Sequence, residues 1–204
     1  MWRLGPGWHD EQALATAWRT ATPFPHLVFD EVFAPASLPD LMAVVDDEPV
    51  AGYEAELFAF DATAPEPTTD GFRALRAELA AVLAPPLARI TGKPVTRADL
   101  RGFAYGPGHY LLPHTDHVDV TAGGSPRALA YACYLPSPEP PVGGELELYR
   151  CAHDGDALTV TEPARTIAPV ANRLVVFDVS PVSLHQVREV LAGLRISLAG
   201  WFYP

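Results

Sequence analysis

Positive charge is scarce in this 204-residue chain. Lysine and arginine number 14 against 25 aspartates and glutamates, a formal net charge of −11, and Lys93 is the only lysine. With no basic stripe to neutralise phosphates, nucleic acid is excluded as an expected partner; the acidic balance suits a basic polypeptide if anything. Cysteine is scarcer still. Cys133 and Cys151 are too few for a disulfide framework, so the expected compartment is the cytoplasm. Long apolar runs are missing: stretches such as Leu41 to Val45 and Leu174 to Phe177 fall far short of the roughly 20 residues of a membrane span. Met1 to Trp18 has no apolar core of a secretory leader. The expectation is a soluble protein without a membrane partner, its oligomeric state open.

What is present reads as one folded domain, residues 1–204. Apolar residues make up 49% and charged ones 19%, which excludes a disordered or fibrous chain. Proline is plentiful, 22 residues, but it clusters at Pro85-Pro86 and from Pro136 to Pro141, outside the periodic segments. No repeat occurs, and the turn Tyr105-Gly106-Pro107-Gly108 lacks the ending of a phosphate loop.

The first half predicts a short strand at His26 to Phe33 and two helices. In Ser37 to Asp47, Leu38, Leu41, Met42 and Val45 recur at helical spacing, with Ser37 as N-cap. In Asp70 to Leu83, Phe72, Leu75, Leu79, Val82 and Leu83 form one stripe, which Pro85-Pro86 should end or kink. Beyond Gly92 come about eight β-like runs: 100–105, 110–112, 128–135, 145–150, 165–170, 174–179, 184–187 and 194–202. Helices first and antiparallel strands after predict an α+β fold, a sandwich or jelly-roll core at about residues 98–204 flanked by N-terminal helices.

Seven histidines are available, and His114-Thr115-Asp116 sets two ligand-type side chains at i and i+2, one face of a strand. A third ligand from a distant strand, His185, would complete the 2-His-1-carboxylate set of non-heme Fe(II) oxygenases. His117-Val118-Asp119 offers a rival pair, and spacing alone leaves both open. The turn-forming 121–126 stretch beside the second pair, and the apolar Tyr110-Leu111-Leu112 run beside the first, favour His114 and Asp116. His9, His26, His109 and His153 read as surface or turn residues, Cys133 as core and Cys151 as a strand-end thiol. Arg195 carries more weight. Arg195, Ser197, Ala199 and Trp201 share one face of an alternating strand, ten residues after His185. A buried arginine needs an anion, and a guanidinium with a hydroxyl two residues on suits a dicarboxylate; on an ordinary strand it would pair with Glu189 instead.

Several runs together resemble a known family. Phe177 to Val190 followed by Arg195 to Phe202, with Leu111 to Asp116, Tyr134 to Pro136, Gly143 to Tyr149 and Pro23 to His26, is similar to the Fe(II)- and 2-oxoglutarate-dependent oxygenases. Within them the resemblance is to the prolyl hydroxylases that modify a ribosomal small-subunit protein in eukaryotes, and it spans about residues 22–204. It implies a double-stranded β-helix, iron on His114, Asp116 and His185, and the C5 carboxylate of 2-oxoglutarate on Arg195. Tyr105 and Tyr134 match tyrosines lining that pocket, and Ser197 matches more weakly. Implied with these are O₂ as co-substrate and ascorbate as a further candidate cofactor. The implied activity is hydroxylation of an unactivated C–H bond of a prolyl peptide or protein, with release of succinate and CO₂. A free amino acid or other small metabolite is the alternative substrate. A non-catalytic jelly-roll binding module would be expected to lack a ligand or Arg195, and a metal-dependent cupin isomerase or hydrolase needs no such arginine. Two departures stand out: the eukaryotic relatives carry a second, non-catalytic jelly roll, and the loop from Val118 to Pro126 looks longer here.

The choice between the two pairs is directly testable. His114→Ala should abolish metal binding by equilibrium dialysis while His117→Ala leaves it intact; the opposite pattern would put the ligands in the second pair.

Overall fold

The computed structural model describes residues 3–118, 124–154 and 157–204. Three helices lead. α1 (Glu11–Thr20) is capped by the Asp10 carboxylate, which accepts the Ala13 N–H at 2.8 Å. α2 (Leu38–Asp47) lies where the apolar spacing predicts it, but Ser37 does not cap it. Ser37 continues a 3₁₀ turn with helical backbone angles, so its hydroxyl cannot swing onto the first free N–H groups; it accepts the Arg3 N–H at 3.4 Å instead.

α3 (Asp70–Thr91) begins as expected, with the Thr69 hydroxyl accepting the Phe72 N–H at 3.2 Å, but does not stop at Pro85-Pro86. It runs two further turns to Gly92, whose φ of +71° closes it. Two prolines delete two ladder hydrogen bonds. Against that loss, Leu79, Leu83, Leu87 and Ile90 continue one stripe into the core, each worth about 1.5–3 kcal/mol when fully buried. Apolar burial outweighs the missing donors.

The strands are β1 (His26–Phe29), β2 (Val50–Ala55), β3 (Phe58–Thr63), β4 (Arg97–Ala98), β5 (Arg101–Tyr105), β6 (Tyr110–His114) and β7 (Leu129–Tyr134). They continue with β8 (Val142–Gly143), β9 (Leu146–Asp154), β10 (Ala157–Ile167), β11 (Leu174–Asp178), β12 (His185–Val187), β13 (Val190–Ala192) and β14 (Arg195–Tyr203). Twelve form one antiparallel sheet in the order β1-β11-β7-β14-β5-β3-β6-β12-β9-β10, with β2 on β3 and β4 on β14; β8 and β13 pair apart. The β2–β3 hairpin was not legible as strands, because β2 is mostly exposed, β3 mostly half-buried, and neither alternates. β1 stops at Phe29, short of the expected Phe33, and Glu31 beyond it has a φ of 56°. The strand expected at 165–170 instead spans β10 and ends at Ile167. Pro163 is tolerated inside it because β10 is the sheet edge, paired only with β9, with a register shift at that point.

Period-two alternation divides the sheet into two faces. Leu129, Tyr131 and Cys133 of β7, Leu174 and Val176 of β11, and Leu198 and Phe202 of β14 pack under the helices. Their neighbours Ala130, Ala132, Tyr134, Val175 and Phe177 point the other way and meet Leu146 and Leu148 of β9. The sheet therefore curls until β9 and β12 lie across from β7 and β11, as a jelly roll does.

Leu87→Ala, which leaves a hole under the last turns of α3, should cost about 2–5 kcal/mol in urea unfolding. A loss below about 1 kcal/mol would mean that those turns are not part of the core.

Candidate active site

β6 and β12 are antiparallel neighbours, and His185 is the register partner of His114. Asp116, two residues past the end of β6, is buried beside both. One ligand-type atom from each of these three residues lies within 4.8 Å of the others. The Asp116 carboxylate is 3.9 Å from His114 Nε2 and 3.5 Å from His185 Nε2.

Both rings are aimed by the backbone. His114 Nδ1 lies 2.9 Å from the Leu112 carbonyl and His185 Nδ1 2.9 Å from the Ser183 carbonyl. A carbonyl can only accept, so each Nδ1 carries the proton and each Nε2 presents a lone pair to the centre. The turn before His185 is itself fixed, since the Ser183 hydroxyl accepts from Ser180 N–H and donates to Ser180 C=O, both at 2.9 Å. Burial pushes the His185 pKa down to about 4, which keeps the ring neutral, the form that can ligate a metal. Two imidazoles and a carboxylate on one side of a cleft fit Fe(II).

Of the rival pair, His117 is exposed and Asp119 lies outside the described residues, as does most of the Val118 to Pro126 loop. His26 departs from expectation: it is buried, its Nδ1 2.8 Å from the Phe24 carbonyl. Cys133 is core, its thiol pKa pushed up to about 12 by burial. Cys151 lies within β9 rather than at its end.

Arg195 is only 3% exposed, yet it has no carboxylate partner among the described residues. Its Nη1 donates to the Ser197 hydroxyl at 3.2 Å, and its Nε is buried without a partner. The guanidinium lies 4.8 Å from the Tyr105 ring centre and 4.9 Å from that of Tyr134, whose hydroxyl is also buried and unpartnered. Burial raises the Tyr105 pKa to about 12, so its phenol stays protonated, able to donate. The expected alternative, a pair with Glu189, is not formed. An isolated buried charge costs several kcal/mol, and a buried cation flanked by spare donors is a carboxylate receptor. Gly144 makes the room: at its φ of +69° a Cβ would lie 2.8 Å from Val190 and 3.1 Å from Arg195.

A cleft of about 250 Å³ connects these parts, lined by Tyr105, His114, Asp116, His185, Arg195 and Trp201 among others. Tyr134 is packed against the guanidinium rather than on the cleft surface. Sequence reasoning missed Arg127. It donates to the Asp116 carbonyl at 3.0 Å, lies 3.8 Å from its carboxylate and stacks 3.5 Å over Trp201. No motif marks a side chain whose main partner is a backbone carbonyl.

The chain is similar to known proteins. The family described as the 2OG-Fe(II) oxygenase superfamily matches residues 100–203. Prolyl 3-hydroxylase OGFOD1 of Mus musculus is 40% identical over 96 residues, 46% of this chain and 16% of the relative. Its Xenopus laevis namesake is 36% identical over 108 residues, 52% of this chain and 19% of the relative. The match thus spans less than a fifth of these relatives. Among solved structures, a Pseudomonas putida prolyl-4-hydroxylase superposes with a TM-score of 0.65 at 21% identity, covering 95% of this chain and 98% of that one. A Trichoplax adhaerens prolyl hydroxylase, in complex with a hypoxia inducible factor peptide fragment, superposes with a TM-score of 0.69 at 14% identity, covering 97% and 90%. These structural likenesses establish the jelly-roll fold.

A metal that binds only the folded state stabilises it by about 2.7 kcal/mol at a hundredfold excess over Kd. Mn(II) should therefore raise the thermal midpoint by about 5–10 °C for a chain of this size. His185→Ala should erase the shift; an undiminished shift in that variant would place the metal elsewhere.

Proposed function

Since this chain belongs to the 2OG-Fe(II) oxygenase superfamily, we propose that it hydroxylates a prolyl residue of a peptide or protein, with His114, Asp116 and His185 holding the iron and Arg195 the far carboxylate of 2-oxoglutarate. The observation that carries the reading is the buried, carboxylate-free Arg195 opening into the same cleft as the His-Asp-His trio. A metal isomerase or a hydrolase has no use for that cation.

Each residue has a definable task. The two Nδ1–H groups, tied to the Leu112 and Ser183 carbonyls, hold the imidazoles oriented with Nε2 towards the centre. Asp116 supplies the one negative charge of the trio, and Arg127 fixes the backbone that carries it. Arg195, with the Ser197 hydroxyl and the Tyr105 ring beside it, orients the co-substrate; the Tyr134 ring packs against the guanidinium. Phe177, Leu146 and Val187 line the cleft and exclude water. When bound, Fe(II) with O₂ and 2-oxoglutarate supplies the oxidising power that puts one oxygen atom into a C–H bond, leaving succinate and CO₂.

The prolyl assignment draws on the similarity to prolyl 3-hydroxylases over about half of the chain. It also draws on the partly exposed Tyr53, Phe58 and Phe60 of the β2–β3 hairpin: Phe60 packs against Tyr53, Phe58, Phe103 and Tyr105, an aromatic cluster that suits a pyrrolidine ring. The cytoplasm belongs to the same proposal, supported by two free thiols, as does ascorbate as an accessory reductant.

The test has two parts. Truncating one partner of a buried charge pair costs about 2–5 kcal/mol, so Arg195→Ala should weaken 2-oxoglutarate binding by roughly 30-fold or more with metal affinity preserved. Wild-type enzyme with Fe(II), 2-oxoglutarate and O₂ should add one oxygen to proline-bearing peptides in step with succinate. Coupled oxidation of free amino acids alone would move the substrate to a small metabolite, and an unchanged 2-oxoglutarate affinity in the variant would falsify the role of Arg195.

A further inference from the structure

The cleft has a second cationic pole that the co-substrate does not use. β5 and β14 form its floor, with Tyr105 opposite Arg195, Phe103 opposite Ser197 and Arg101 opposite Ala199. Four residues of extended strand place the Arg101 backbone about 13 Å from that of Tyr105, so Arg101 lies at the end of the cleft away from the co-substrate arginine. Its guanidinium is half-buried, 5.0 Å from the Tyr53 ring centre and 5.3 Å from that of Phe103. Nε and Nη2 both donate to the Thr63 carbonyl, at 2.8 and 2.5 Å. A carbonyl fixes the orientation but leaves the charge uncancelled, and no carboxylate pairs with Arg101 among the described residues.

The neighbouring acids have other partners. Asp99 lines the same end, but its two oxygens accept the Trp201 N–H and the Tyr203 hydroxyl, each at 2.7 Å. Arg76 meets Glu66 at 3.4 Å, with that acid almost wholly in solvent, and Arg127 is turned towards Asp116. Arg76 and Arg101 thus stand against Asp99 and Glu66 at the outer end of the cleft, inside a protein whose net charge is −11. That end of the cleft is balanced in number while the protein as a whole is acidic, and neither acid pairs with Arg101.

We propose that Arg101 selects the substrate by binding a carboxylate on it: an acidic side chain beside the oxidised residue, or the free carboxylate of a small amino acid. The proposal rests on the cleft being the oxygenase site. The rings of Tyr53 and Phe103 hold the guanidinium plane, the Thr63 carbonyl holds its Nε edge, and the remaining N–H groups are free for a charge-assisted bond to the incoming anion. A global preference for basic partners and a local preference for an acidic group then coexist.

The experiment reads binding without turnover. Zn(II)- and 2-oxoglutarate-loaded protein is titrated with matched pairs: acetyl-Gly-Glu-Pro-Glu-Gly-amide against its Gln counterpart, and free L-proline against L-prolinamide. The carboxylate member of at least one pair should bind about tenfold tighter or better, and which pair does so separates peptide from metabolite. Arg101→Gln should erase the preference while keeping 2-oxoglutarate affinity. Equal affinity within both pairs, or a preference that persists in the variant, would overturn the proposal. Should the variant not fold, the arginine Nε–H signals of the wild-type protein serve instead. One should shift with the Glu peptide and stay still with the Gln peptide; no such signal counts against Arg101. Repeating the peptide pair with alanine for proline separates the two readings: a carboxylate preference that survives without proline leaves Arg101 standing and removes the prolyl assignment.

Discussion

A cation closed inside a protein without a counter-ion is unstable unless something arrives to neutralise it, and Arg195 is in that position. Burying a charge costs several kcal/mol, and here only a serine hydroxyl and two aromatic faces offset it. The surroundings are arranged to keep the site open. Gly144 has no side chain to fill the space, Tyr134 leaves its hydroxyl spare, and Ser197 contributes only a neutral oxygen. Stability is given up locally so that a carboxylate can bind.

The rest of the fold makes that concession tolerable. Helices α1 to α3 cover one face of the sheet with tightly buried leucine, phenylalanine and tryptophan side chains, which frees the inner face of the same strands to carry polar groups. Each of β7, β11 and β14 contributes to both faces by simple alternation. One residue of slip in β14 would turn Arg195 into the helical core and Leu198 into the cleft. Register in that strand is pinned on both sides, by β5 and β7, along most of its length. The metal trio depends on the same kind of constraint, since His114 and His185 face each other only because β6 and β12 pair in that register.

How much of this was legible in the sequence follows from the range of the forces involved. Alternation is local, so the face shared by Arg195, Ser197, Ala199 and Trp201 could be written down from the sequence, and so could the pairing of His114 with Asp116. Signals that depend on distant partners were not legible. α3 passes through Pro85-Pro86 because Leu87 and Ile90 find a core that no window reveals. β10 keeps Pro163 because it is an edge strand, which is a fact of topology. His26 looked like a turn residue, and it is buried because β1 is laid against β11 at the far end of the chain. Arg127 and Arg101 carried no motif because their strongest bonds go to backbone carbonyls, which any sequence possesses.

One claim underlies the account: a single cleft holds a metal on one wall and a dicarboxylate anchored at its closed end. A crystal structure of the protein grown without oxygen, with Mn(II) and 2-oxoglutarate, tests this directly, because anomalous scattering places the metal independently of the chain. The account predicts one metal between His114, Asp116 and His185 and the far carboxylate of 2-oxoglutarate against Arg195 and Ser197. A metal held by His117, or a 2-oxoglutarate whose carboxylate leaves Arg195 unpaired, would contradict it.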